Sequence, residues 1–122
     1  MSQPPNFDLM LQMMLQNAPR TAHEMRNLLD GAQAWLEHRA YARDELAVRF
    51  HHCLVWIHPF ANGNGRLSRM MADQLIVALG GERFTWGSAD LVGTGQVRDR
   101  YIAALQQADA HAIEPLLAFA RS

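Results

Sequence analysis

The sequence predicts an all-α domain with a buried central helix. Apolar residues recur at the helical period in several segments, and no segment of useful length alternates apolar and polar residues as a half-buried strand does. The chain has 122 residues, of which 49% are hydrophobic, so a single core can form without disulfides or a structural metal. These observations favour a small helical fold.

Composition and charge exclude several classes of protein. A net charge of −1 gives no electrostatic attraction to nucleic acid or to an anionic membrane. The single Cys53 rules out an internal disulfide framework and fits a reducing cytoplasm. No apolar run approaches the roughly 20 residues of a membrane span, and the N-terminus lacks the pattern of a signal peptide. We expect a cytoplasmic protein without nucleic-acid or membrane partners.

The N-terminal segment, residues 1–20, is predicted to stand apart from the main domain at 21–122. Its apolar residues fit a short amphipathic helix, a flexible cover or an oligomer contact, because methionine adapts to irregular surfaces. Pro19 interrupts that pattern. The apolar residues in question are Leu9, Met10, Met13 and Met14.

Two helices are predicted before the central one. Thr21 and Glu24 have capping-box spacing, which predicts a helix from Thr21 onward. Asp44 is the predicted N-cap of the next helix. Pro59 ends that helix, because the residue before a proline is disfavoured in the α region, and this places His58 at the helix exit. The two predicted apolar faces are Met25, Leu28, Leu29, Ala32 and Leu36, then Leu46, Phe50, Cys53, Leu54 and Ile57.

The central helix is predicted at Arg66–Leu79, because its apolar residues lie on nearly every side. Gly80–Gly81 is expected to close it. A loop packed by its aromatic residues is predicted at Arg83–Gly87. Two further helices are expected, one after Thr94 and one over Asp109–Ala120.

The residues with chemical potential are concentrated in the stretch His58–Arg69, HPFANGNGRLSR. Its Gly-Asn-Gly turn permits positive φ and close approach of a ligand. The first N–H groups of the helix that Arg66 is expected to open have no internal partner and attract anions. Arg66 and Arg69 lie three residues apart, so two guanidinium groups near one face can bind a polyphosphate. His58, in the loop ahead of them, can take a proton.

This stretch closely resembles the signature of the Fic (Fic/Doc or Fido) family, His-x-Phe-x-(Asp/Glu)-Gly-Asn-Gly-Arg-x-x-Arg. Every fixed position matches except Asn62, which stands where the family has an acid. The longer run from Phe50 to Asp73 resembles a subgroup called mobile mystery protein B. The resemblance extends from about Met25 to the C-terminus, so the chain looks like a family member shortened at its N-terminus.

The resemblance implies a Fic-type helical domain that transfers AMP from ATP to a Tyr, Ser or Thr hydroxyl of a target protein, with Mg²⁺. It makes His58 the general base for that hydroxyl. It assigns Arg66 to the nucleotide phosphates and Arg69 to the charge of the transition state, as positioning and charge stabilisation require. The phosphates are also expected to be cradled by Gly63, Asn64 and Gly65.

Two departures from the family pattern predict a weakened enzyme. Asn62 offers Mg²⁺ a neutral carbonyl oxygen in place of a carboxylate, so weaker metal binding is expected. The β-hairpin flap with which family members capture targets by strand addition has no counterpart before Thr21, and no inhibitory Ser/Thr-x-x-x-Glu-Gly/Asn motif precedes His58. The first alternative is therefore a non-catalytic domain that binds nucleotide or a protein, such as an antitoxin-like regulator.

The second alternative is a Doc-like protein kinase. Doc-type members are about as short as this chain and transfer phosphate, but their motif departs from the Gly-Asn-Gly-Arg that is intact here.

Adjacent His51 and His52 point about a third of a turn apart on a helix, which disfavours a shared zinc ion.

Several motif residues also have purely structural interpretations. His58 would then be a helix-exit histidine bonded to the backbone, and Phe60 an anchor of the loop in the core. Arg66 would pair with Asp73 or Glu82, a surface contact worth roughly 0–1 kcal/mol.

Overall fold

The computed structural model describes residues 19–57, 64–88 and 93–122. No strand occurs in these ranges, and the predicted all-α class is confirmed. The chain divides into two compact units, the first ending at Gly81 and the second formed by Glu82–Ser122. Within the described ranges, every helix falls short of the length and hydropathy that a bilayer span needs. The described helices are α1 (Pro19–Glu37), α2 (Arg43–Ile57), α3 (Asn64–Ala78), α4 (Thr94–Asp109) and α5 (Glu114–Ala120).

The first two helices begin earlier than predicted. Helix α1 starts at Pro19 rather than Thr21, because a proline is tolerated in the first turn, where its missing N–H needs no partner. Helix α2 starts at Arg43, so Asp44 lies within the first turn instead of capping it. The carboxylate still lies at the positive end of the helix dipole, which is the favourable end.

The predicted last helix is shorter than expected. Asp109 belongs to α4, and α5 begins only at Glu114. His111, between the two helices, has a φ of 71°, and this left-handed conformation cannot continue a right-handed helix.

The core of the first unit lies along α2, which packs against both α1 and α3. Helix α3 is buried along one side, where Met71, Ala72 and Ile76 are inaccessible, while Arg66 is exposed and Met70 is 49% exposed. The residues that form the cluster between α1, α2 and α3 are Ala22, Met25, Leu28, Ala32, Phe50, Leu54 and Met71.

Gly80–Gly81 closes α3 as predicted. Gly80 has a φ of 88°, which glycine adopts without steric cost. Its N–H donates to the carbonyl of Val77, and the N–H of Gly81 donates to the carbonyl of Ile76 over 2.9 Å. These two bonds form a Schellman motif, which satisfies the last carbonyls of the helix.

In the second unit, α4 packs against α5. The predicted loop at Arg83–Gly87 is confirmed, since it contains neither helix nor strand. Its Phe84 and Trp86 rings lie 5.2 Å apart. Arg121 fixes the loop, because its guanidinium lies 4.2 Å from the Phe84 ring and donates to the carbonyl of Glu82 over 3.0 Å.

Candidate functional site

The structure describes the second half of the motif. Asn64–Arg69 forms the first turns of α3. The predicted general base His58, the loop anchor Phe60, the metal position Asn62 and the first motif glycine, Gly63, lie outside the described residues. Their assignments stay predictions.

Helix α3 begins at Asn64, so the motif itself forms its first turn rather than a turn ahead of Arg66. The first four N–H groups of a helix have no partner within it and carry the positive end of the dipole. An acidic residue commonly offsets this charge, as Asp44 and Glu45 do in the first turn of α2. The first turn of α3 contains no acidic residue. No negatively charged side chain in this turn offsets the positive end of the helix dipole, which favours an anion there.

Arg66 adds positive charge at this end. Its side chain is exposed, and no hydrogen bond or ion pair joins it to another residue in the part of the chain that the structure describes. The alternative in which it pairs with Asp73 is therefore not formed, and the pairing with Glu82 stays a prediction. A cation at the N-terminus of a helix is electrostatically unfavourable by about 0.3–1 kcal/mol. A bound polyphosphate would reverse the sign of that interaction.

Arg69 turns back over the same first turn. A Cβ atom built on Gly65 would lie 3.4 Å from Nη1 of Arg69. Side chains on a helix lean toward its N-terminus, which explains the direction. Gly65 does not have the positive φ expected of it, because it lies within the helix. Its lack of a side chain instead keeps open the space between the guanidinium and the N–H groups.

His51 and Ser68 lie directly beneath this turn. Both are fully buried, and they join α2 to α3 through a hydrogen bond between His51 and the Ser68 backbone. Burial lowers the pKa of His51 from 6.5 to about 4, although the bond to Ser68 raises it, and the nearby Arg69 and His52 lower it further. The imidazole is therefore neutral near pH 7 and presents no charge to Arg69.

Sequence reasoning missed this role of His51. The signal that could have found it is periodicity, because His51 lies seven residues before His58. Seven residues are about two helical turns, and this spacing in the sequence is the signal.

An open apolar groove of about 450 Å³ lies between α1 and α2. Burial raises the pKa of the Cys53 thiol in its wall, so this cysteine is protonated and a poor nucleophile or metal ligand. No group of three His, Cys, Asp or Glu residues within the described ranges could hold a metal. The groove walls include Leu28, Gly31 and Trp35 of α1 and Cys53, Trp56 and Ile57 of α2.

Comparison with known proteins places the chain in a family. Residues 6–76, more than half of the chain, match the Fic/DOC family. The chain belongs to the Fic/DOC family. The match covers the motif and all of α1 and α2.

Two curated relatives show the same similarity. The Protein adenylyltransferase Fic of Aedes aegypti is 33% identical over 91 residues, and that of Culex quinquefasciatus is 32% identical over 91 residues. These alignments cover 75% of this chain but only 16% of each relative.

The family match begins at residue 6, within the segment set apart above as residues 1–20. The compact units divide after Gly81. The boundary at residues 20 and 21 stays a prediction.

Proposed function

We propose that this protein transfers AMP from ATP to a hydroxyl side chain of a target protein. The observation that carries the proposal is the excess positive charge at the start of α3. There the N–H groups of the first turn, Arg66 and Arg69 lie together, and the turn contains no acidic residue. A triphosphate supplies the negative charge that this end of the helix lacks.

The reaction follows from the roles of the motif residues. His58 takes the proton of the target hydroxyl, whose oxygen attacks the α-phosphorus of ATP. A new O–P bond forms, the bond from the α-phosphorus to the bridging oxygen breaks, and pyrophosphate leaves. Gly63, Asn64, Gly65 and Arg66 hold the phosphates, and Arg69 stabilises the charge that develops in the transition state.

Mg²⁺ is the cofactor of this proposal. The donor set suits a weakly held ion, because Asn62 supplies a neutral amide oxygen while the phosphates of ATP supply the anionic oxygens that Mg²⁺ prefers. When bound, the ion neutralises phosphate charge. We expect Asn62→Asp to lower the Mg²⁺ concentration for half-maximal activity, and an unchanged metal dependence would remove Asn62 from the metal site.

The adenylyltransferase names of the two mosquito relatives support AMP as the transferred group. So does the intact Gly-Asn-Gly-Arg sequence of residues 63–66. We also propose that the chain belongs with the mobile mystery protein B subgroup, on the resemblance of Phe50–Asp73.

The test uses purified protein, host lysate and Mg²⁺, with ATP labelled at the α-phosphate in one sample and at the γ-phosphate in another. We expect a protein band labelled from the α position only. His58→Ala should abolish the label, and His38→Ala, which removes an exposed histidine after α1, should leave it unchanged.

Each other outcome selects an alternative. Label from the γ position alone would indicate a Doc-like kinase. No label in either sample would favour the nucleotide-binding or protein-binding domain, which the Asn62 substitution supports. That domain would still be stabilised by ATP, by about 2.7 kcal/mol at a hundred times the Kd.

A further inference from the structure

Two polar side chains lie fully buried in the described part of the chain, and one of them, Ser68, belongs to the motif. His51 of α2 and Ser68 of α3 each have 0% exposure. Polar groups buried to this extent are normally hydrogen-bonded, because an unmade bond costs the full desolvation of the group. The hydrogen bond between the His51 ring and the Ser68 backbone supplies such a bond and connects the two helices that flank the motif loop.

The hydrogen bond joins the His51 ring to the Ser68 backbone. It raises the pKa of His51, which is the direction expected when a ring N–H donates to a carbonyl. A helix carbonyl has two lone pairs, so it can accept this donor while it remains in the helical ladder. The bond fixes the height and rotation of α3 one residue before Arg69.

Arg69 lies close enough for its charge to lower the pKa of His51. At the other side, its Nη1 lies beside Gly65 in the first turn. The imidazole thus lies beneath the arginine whose guanidinium extends over the helix start. Its neutrality matters, since a charged ring in this place would repel Arg69.

We propose that His51 is the positioning residue of the site, which holds the start of α3 so that Arg69 reaches the phosphate-binding turn. This inference rests on the proposed function for its catalytic consequence. Because His51 lies on α2 and is bonded to the backbone of α3, one side chain sets the spacing between these two helices next to Arg69. A displacement of about 1 Å at such a site can cost up to roughly 10²-fold in rate.

The test compares two substitutions of similar volume. His51→Gln retains an N–H donor, and His51→Met does not. We expect kcat of His51→Met to fall between roughly tenfold and 10²-fold with a small change in KM, while His51→Gln stays close to the wild type. His23→Met, which replaces an exposed histidine of α1, is the control and should leave kcat unchanged.

A double-mutant cycle separates positioning from general stability. If His51 acts through Arg69, then His51→Met should cost little further kcat in the Arg69→Ala background. Additive losses would overturn the proposal. So would equal losses in His51→Gln and His51→Met, because the hydrogen-bond donor would then be irrelevant.

Hydrogen exchange gives a measurement that does not depend on activity. We expect His51→Met to accelerate exchange at the backbone amides of residues 67–72 while α1 keeps its protection; His51→Gln should keep both. Uniform acceleration across the unit, or none at residues 67–72, would overturn the proposal. If the wild type transfers no label but the local exchange difference is present, the proposed function fails and the positioning role of His51 stands.

If His51→Met does not fold, His51→Asn replaces it. Its amide is one carbon shorter than that of glutamine and cannot span the same distance. We expect its kcat and its exchange at residues 67–72 to resemble those predicted for methionine. Wild-type behaviour in both measurements would overturn the proposal.

Discussion

The two ends of α3 differ in how charge is arranged against the helix dipole. At its C-terminal end, Gly80 and Gly81 satisfy the last carbonyls, and Nη1 of Arg43 lies 3.4 Å from the carbonyl oxygen of Leu79. A cation there complements the negative end of the helix dipole. At its N-terminal end, Arg66 and Arg69 lie where the dipole is already positive, and no acidic residue occupies the first turn.

The difference separates stability from binding. The C-terminal end satisfies its polar groups within the chain, so changes there should alter folding alone. The N-terminal end concentrates positive charge with no acidic residue in its first turn, and an arrangement that favours an anionic ligand in this way gives up some stability for binding. Four predictions test whether the two ends are as independent as this comparison implies.

The largest effect is expected from Arg66→Ala. Removing a charge that acts on the transferred phosphates should lower kcat/KM by roughly 10²–10³-fold, or about 3–4 kcal/mol. The free energy of unfolding without ATP should not fall, because the substitution removes a cation from the positive end of α3. Kinetics and urea unfolding measure the two quantities.

Arg98→Ala is the matched control, since Arg98 is an exposed arginine of α4 in the other unit. Equal activity of the Arg66 and Arg98 variants would remove the charge argument from the start of α3.

The second prediction concerns acid. The buried His51 beneath the N-terminal end has a pKa of about 4, against 6.5 for an ordinary histidine. Between these values the unfolded chain binds a proton at this residue and the folded chain does not, so the free energy of unfolding falls as the pH falls. The slope approaches 1.4 kcal/mol per pH unit and amounts to roughly 3 kcal/mol over the whole window.

Urea unfolding at a series of pH values measures this slope. His51→Gln removes the titrating group and should flatten the curve in this window, whereas Gly80→Ala at the other end should keep the wild-type slope. Parallel curves for the wild type and His51→Gln would show that His51 does not titrate as the structure indicates.

The third prediction concerns the C-terminal end. Gly80 has a φ of 88°, so Gly80→Ala should lower the free energy of unfolding by about 1–2 kcal/mol and leave kcat unchanged. Gly31 lies inside α1 with no atom within 4 Å of an added Cβ. Gly31→Ala should therefore raise stability by about 0.5–1 kcal/mol. The same sign for both substitutions would contradict the helix ends seen here.

The fold was accessible from the sequence because its signals are local. The stripe of Met25, Leu28 and Ala32 follows the helical period, and the Gly80–Gly81 stop is a property of two adjacent residues. The predicted helix starts at Thr21 and Asp109 were wrong. A proline such as Pro19 either breaks a helix or begins one, and nothing in the sequence signals the left-handed φ of His111.

The site was only partly accessible. The motif predicted that Arg66 and Arg69 would share the start of a helix, since residues three apart share a face. The partnership of His51 with Ser68 could not be found in this way, because it joins two helices and depends on how α2 packs against α3. The helical φ of Gly65 was not predicted, because a glycine near a turn has two possible explanations. It can adopt a positive φ, or it can allow another group to pack closely.

The smallest effect and the sharpest contrast are expected from Gly65→Ala. Its Cβ would lie 3.4 Å from Nη1 of Arg69, an ordinary contact, and alanine favours a helix, so stability should hold or rise slightly. The methyl group would nevertheless fill the space between the guanidinium and the N–H groups, and we expect kcat/KM to fall about tenfold, the equivalent of about 1.4 kcal/mol. Gly80→Ala should instead lower stability and leave kcat unchanged. If Gly65→Ala instead lost stability and kept its turnover, the start of α3 would be a structural end like the other, and the phosphates would have to bind elsewhere.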